Sequence, residues 1–218
     1  MCGRFALYAN EQEIISHFHL RAGFIMRPRY NLAPTQVHPI ITQWNRQIEF
    51  ARWGYIASWI KNENEQIPLG HINARWETLA EKPTFKESFR KRRCLIPASG
   101  YYEWREINGK KQPYFISFKE KSLFAFAGLW SKWQAPGIEM VSCLIITREA
   151  PLFMQQLHPR IPAMIAPEHY TTWLDHQTPL SETQPLFTEP TENSLRIHAV
   201  TTRMGSPQFE GKECIYPL

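Results

Sequence analysis

Several things are scarce in this sequence. No apolar run approaches the roughly 20 residues that a bilayer-spanning helix needs. The start, Met1-Cys2-Gly3-Arg4, lacks the apolar stretch of a secretory signal. A soluble, cytoplasmic protein is therefore expected, with no membrane partner. Cysteine is rare: Cys2, Cys94, Cys143 and Cys214 are the four in 218 residues, far apart and without a Cys-x-x-Cys pair. That spacing argues against a disulfide framework in a reducing compartment and gives no encouragement to zinc. Neither a metal nor another cofactor is expected. Repeats and low-complexity tracts are missing too.

What is present is a chain able to bury a good-sized core. With 43% hydrophobic residues in 218, one domain over residues 1–218 is the first expectation. Aromatic residues reach 13%, including 8 Trp. Flat side chains of that kind pack cores and also make stacking platforms, and composition does not separate the two. A formal charge of +5 and a pI near 9.1 suit a polyanionic partner.

The pattern along the chain alternates strands with short helices. Asn10 to Phe18 has apolar Ile14, Ile15 and Phe18 at amphipathic-helix spacing. Residues 27–35 hold two prolines and an Asn, which predicts an ordered loop. Val37 to Trp44 and Ile48 to Trp53 read as paired strands around Asn45-Arg46-Gln47, and Lys61 to Gln66 as a polar surface loop. Trp76 to Lys82 and Phe85 to Arg92 read as helices separated by Pro83. Cys94 to Pro97 reads as a buried strand. Tyr101 to Ile107 and Pro113 to Phe118 flank Asn108-Gly109, a strong hairpin signal. Leu123 to Leu129 and Met140 to Thr147 continue the β pattern through residues 134–137. Ala150 to Leu157 and Pro167 to Leu174 read as helices, and Pro162 to Ile165 and Leu195 to Val200 as strands. The expected class is α+β, a mostly antiparallel sheet or barrel-like core with short helices around it.

Cys2 carries the most distinctive chemistry. Aminopeptidases generally remove an initiator Met before a small residue. Removal leaves an α-amine and a thiol on one residue, and an α-amine with a pKa of about 7.7–8.0 is partly neutral at physiological pH. Such an aminothiol condenses with an aldehyde: the amine forms a Schiff base, and the tethered thiol closes a thiazolidine ring at high effective concentration. A retained Met1 would turn that amine into an amide, which forms no Schiff base. The plain alternative is a disordered chain end.

Seven segments occur in order: Met1-Cys2-Gly3-Arg4, Tyr30-Asn31-Leu32-Ala33-Pro34-Thr35, Ile72-Asn73-Ala74-Arg75, Cys94-Leu95-Ile96-Pro97-Ala98, Gly100-Tyr101-Tyr102-Glu103-Trp104, Ala127-Gly128-Leu129-Trp130 and His158-Pro159-Arg160-Ile161-Pro162. Together they closely resemble the SOS response-associated peptidase (SRAP) family, from Cys2 to about Leu218. The resemblance implies a sensor of abasic sites in single-stranded DNA that crosslinks through the Cys after Met1, and a thiol autopeptidase that exposes this Cys. It implies an SRAP-like fold and active-site residues Cys2, Asn73, Glu103 and His158; a monomer is expected, associated with the nucleoid when DNA is bound.

The residue types fit those roles. A carboxylate such as Glu103 can take a proton from the amine and return it to a leaving hydroxyl. His158 can shuttle a proton or bind a sugar oxygen, and the Asn73 amide can hold one. Their plain alternatives are an exposed strand carboxylate, a capping or core histidine, and a turn residue after Gly70. Arg4, Arg75 and Arg160 lie in the matching motifs and can fork onto phosphate. Arg90-Lys91-Arg92-Arg93 is a basic run that also reads as a solvated helix end. Trp53, Trp59 and Trp104 are candidates for stacking on bases, with core packing as the alternative. Pro34 and Thr147 fall where the family lines its DNA groove.

Several positions depart from the family pattern: Ser58-Trp59 after Ala57, where proline is usual, Trp76 after Arg75, Pro159, Ile161 and Gly205. None removes a proposed catalytic group. They bear on the shape of the groove. Three rival readings are a thiol peptidase or amidohydrolase acting on other substrates through Cys2, a non-covalent single-stranded-DNA-binding module, and a structural scaffold.

Overall fold

Asn10 caps the first helix, α1 (Glu11–Phe18). Its side chain accepts from the Glu13 N–H at 3.0 Å, and the Glu13 carboxylate accepts from the Asn10 N–H at 2.7 Å. This reciprocal pair satisfies two backbone donors that the helix start leaves open. Ile14 and Phe18, one turn apart, bury the inner face. The computed structural model describes residues 2–21, 23–42, 47–61, 66–120 and 123–218.

In chain order the strands are β1 (Phe5–Leu7), β2 (Arg29–Leu32), β3 (Val37–Thr42), β4 (Gln47–Trp53), β5 (Asn73–Arg75), β6 (Arg93–Ala98), β7 (Gly100–Ile107), β8 (Lys110–Phe118), β9 (Phe124–Ala135), β10 (Ile138–Glu149), β11 (Arg160–Pro162), β12 (Met164–Ile165) and β13 (Leu195–Ala199). The remaining helices are α2 (Trp76–Leu79), α3 (Pro83–Lys91), α4 (Leu152–Gln155) and α5 (Tyr170–Leu174). One antiparallel sheet has five strands in the order β13-β8-β7-β1-β2. In the other sheet, β10, β4, β3, β6 and β9 pair in a ring that closes when β9 meets β10. Among the described residues, only the β10–β4 and β10–β5 pairings are parallel. The fold is α+β with more strand than helix and a five-stranded barrel, the class expected from the sequence.

The two sheets are joined covalently at Ser99, which bends the chain from β6 into β7. The Ser99 N–H donates to Ala6 O at 2.7 Å, so β1 is stitched to the same corner. Gly100 follows because a Cβ there would lie 2.2 Å from the Phe115 ring. Phe5 drives the first strand into the barrel core and meets Trp53 and Phe126 edge to face at 5.2 and 5.8 Å.

Some local expectations gave way to long-range contacts. Residues 29–32 form β2 instead of a loop, because they pair with β1 and donate hydrogen bonds to acceptors in the distant 204–210 segment. Pro83 starts α3 at its first turn, where a missing N–H costs nothing. The helix read over 150–157 shortens to α4, and the one over 167–174 begins as a 3₁₀ turn before α5. The Asn108-Gly109 turn is present, both residues at positive φ (51° and 73°) between β7 and β8. Residue 1, most of the 45–47 turn and most of the 61–66 loop lie outside the described residues. Among the described residues, no helix is long and apolar enough to cross a membrane.

Candidate active site

Strand β1 delivers Cys2 to the junction of the two sheets. Phe5 stands opposite Tyr101 on β7, and the Tyr102 N–H donates to Arg4 O at 3.0 Å. Continuing that register brings Gly3, and with it Cys2, beside Glu103. Cys2 is fully buried, and its carbonyl accepts a 2.9 Å hydrogen bond from Asn73 Nδ2. Asn73 opens β5, locked opposite Ile145 of β10. Trp53 supports it from behind, its indole N–H donating to Ile72 O at 2.9 Å.

The electrostatics follow from burial. Removal from water raises the pKa of the Cys2 thiol well above its ordinary range, and the negative charge of Glu103 adds to that. Glu103 is itself buried, which pushes its carboxyl up to about 7. Near neutral pH it populates both protonation states, as a group that takes and returns a proton must. The thiol remains an S–H. Asn73 Oδ1 and the Tyr101 hydroxyl are buried with no hydrogen-bond partner among the described residues. Such groups cost about 1–3 kcal/mol each when left unsatisfied.

His158 stands at the same end of the barrel. The C-terminal part of β10 carries β5 on one edge and β11 on the other. His158 leads into β11, its Nδ1 within 2.9 Å of the Arg160 N–H and 3.0 Å of Arg160 O. Those contacts fix the ring and turn Nε2 away from Arg160. Burial lowers its pKa, which favours the neutral imidazole. Among the described residues, no group of three or more His, Cys, Asp or Glu is arranged to hold a metal ion, and all four cysteines are free thiols.

The pattern of the SOS response associated peptidase (SRAP) family matches residues 1–207. The chain belongs to the SRAP family. It is 37% identical over 223 residues to the abasic site processing protein YoaM of Bacillus subtilis, covering 99% of this chain and 97% of that one. It is 29% identical to the abasic site processing protein HMCES of Gallus gallus, over 88% of this chain and 67% of that one. A crystal structure of a protein from Bacteroides thetaiotaomicron superposes with a TM-score of 0.87 over the whole of both chains at 24% identity, a likeness of fold.

Within this SRAP chain the residues assigned to DNA divide. Trp59 is 61% exposed, and Arg75 is exposed at the end of β5. Pro34 is half-buried in a loop whose next residue, Thr35, holds φ at 74°. A β-branched residue there is strained, and the Thr35 N–H pays into the loop by donating to Trp53 O at 2.7 Å. Others are committed inside the protein. Trp53 is 0% exposed, so its place in the core replaces the stacking role expected from the sequence. Arg4 donates to Asn31 Oδ1, Met204 O and Gly205 O at 2.7–2.9 Å, which occupies the fork expected to meet phosphate. Trp104 packs half-buried against the cluster on the far face of β7, turned from Glu103. Thr147 is fully buried, its hydroxyl on Ala74 O. Arg160 forks onto Glu77 at 2.7 and 2.8 Å, so a phosphate must compete with a carboxylate. In the basic run, Arg90 and Lys91 are exposed, while Arg93 is buried and donates to Trp173 O and Phe89 O.

One residue at the site was missed. Tyr101 shares the inner face of β7 with Glu103, and the period of two along a strand was the signal that could have found it.

Proposed function

We propose that this protein senses abasic sites in single-stranded DNA and traps them through Cys2 once Met1 is gone. The observation that carries the reading is the meeting of Cys2 with Glu103, a carboxyl held near 7. The names of the relatives, abasic site processing proteins, point the same way. The Cys2 amine, its proton taken by Glu103, adds to the C1′ aldehyde of the opened sugar. Glu103 returns the proton to the carbinolamine oxygen, which leaves as water when the C=N bond forms. The thiol then adds to the imine carbon, and its own proton passes to the nitrogen. A thiol kept as S–H brings that proton with it. Asn73 holds the Cys2 carbonyl, and His158 offers Nε2 to a sugar oxygen. Trp59 and Arg75 receive the neighbouring nucleotides. The protein acts as a monomer and a single domain.

The test uses processed protein and a uracil-containing oligonucleotide treated with uracil glycosylase. A covalent band that disappears in Cys2→Ala supports the reading. An equally strong band in the variant defeats it.

The family's description also names a peptidase, and the Met1–Cys2 bond is the substrate closest to this site in sequence. Self-cleavage leaves Met1 in place when Glu103→Gln is weighed by mass spectrometry. Removal by an aminopeptidase strips it from both proteins.

A further inference from the structure

Tyr101 reaches the Cys2 site from the strand that carries Glu103. Its side chain is buried, on the residue that faces Phe5 across the β1–β7 ladder. The ring is held from the barrel side by Phe126, centroids 6.1 Å apart and planes at 78°. Its hydroxyl has no hydrogen-bond partner among the described residues. The protein satisfies its other buried tyrosines: the Tyr102 hydroxyl donates to Tyr30 O, and that of Tyr55 meets Ser88 Oγ at 2.8 Å. Burial raises the Tyr101 pKa well above its ordinary range, with Glu103 and Cys2 adding to the rise. The hydroxyl is therefore a permanent donor within electrostatic reach of both groups. An unsatisfied buried donor beside a nucleophile is suited to an acceptor that arrives with the substrate.

We propose that Tyr101 is a further catalytic residue, its hydroxyl donating a hydrogen bond to the oxygen on C1′ of the abasic sugar. The assignment rests on the abasic-site reading above. As the amine adds, the C–N bond forms and the carbonyl π pair moves onto oxygen. That oxygen gains charge, accepts the hydrogen bond from Tyr101 and takes its proton from Glu103. A second proton, shed by the nitrogen as the C=N bond forms, passes through Glu103 to the same oxygen, which departs as water, and Tyr101 keeps its own proton throughout. A fixed donor aimed at an oxygen that gains charge favours the transition state over the ground state.

The experiment compares processed full-length wild type with Tyr101→Phe on two oligonucleotides. One carries a true abasic site, the other a tetrahydrofuran analogue that lacks the C1′ oxygen. The expected result is a crosslinking rate lowered by about 100- to 1000-fold, unchanged affinity for the analogue and an unchanged pH for half-maximal rate. A wild-type rate in Tyr101→Phe overturns the assignment while leaving the abasic-site reading intact. So does an affinity for the analogue that falls as far as the rate, which marks a packing role. A moved pH midpoint with an unchanged maximal rate places the hydroxyl on Glu103 instead and overturns it as well. A marked loss of thermal stability does the same, because it reveals a structural partner. A wild type with no Cys2-dependent crosslink removes both the reading and this assignment.

Discussion

The two faces of β7 treat polar groups in opposite ways. On the far face the polar side chains that anchor the first strand and the C-terminal segment are bonded to one another. Arg4 has three acceptors, and the Asn31 amide donates to Met204 O, Ser206 O and Phe209 O. Glu210 accepts from the N–H groups of Tyr30 and Asn31. On the inner face Cys2 is buried beside a carboxyl, with the Tyr101 hydroxyl and Asn73 Oδ1 unsatisfied. The far face anchors the first strand and the C-terminal segment. The inner face holds groups whose satisfaction has to come from outside. The lesson is that burial alone does not mark a site: burial with partners withheld does.

The largest test of this contrast is Asn31→Ala. It removes the amide donor from Ser206 O and Phe209 O and the side-chain acceptor from Arg4, while Met204 O keeps its bond from Arg4, and a loss of about 3–5 kcal/mol is expected from urea unfolding. Asn73→Ala, on the inner face, should lose far less, and equal losses would erase the distinction.

Glu103→Gln sharpens the comparison from the other side. The folded carboxyl, near 7, stands above its ordinary value of 4.5. The unfolded chain therefore releases this proton first, and the folded state loses stability as pH rises from about 4.5 to 7. The glutamine variant escapes that loss. At pH 8 it should be more stable than wild type by about 3 kcal/mol, and below pH 4.5 the gap should close. Melting temperatures across that range decide the matter. A gap that is the same at pH 4 and pH 8 contradicts the burial of an ionisable carboxyl.

The smallest effect belongs to Arg75→Ala. Its stability should stay within about 0.5 kcal/mol of wild type, while the slope of log affinity for single-stranded DNA against log salt falls by about 0.7. An unchanged slope removes Arg75 from the DNA surface.

Much of the fold could be read along the chain. The amphipathic spacing from Asn10 to Phe18, the Asn108-Gly109 turn and the β6 run are local signals, and each is honoured. The anchoring of 29–32 is not local: it depends on Asn31 meeting carbonyls more than 170 positions away. The site divides in the same manner. The chemistry of Cys2 and Glu103 follows from residue type. The difference between Arg4 and Arg75 does not, since both sit in matching motifs and only the fold decides which fork is already occupied. Trp53 and Trp59 are separated the same way, six positions apart, one sealed in the core and the other open.

Ser99 has a further consequence. It is the single residue between a barrel strand and a sheet strand, so Asn73 and Glu103 belong to one stiff frame with no linker to stretch. A rigid receptor cannot wrap its guest, and the guest must supply the bending. Under the abasic-site reading this disfavours a duplex, whose persistence length is about 50 nm, and selects the limp strand that has already lost its complement.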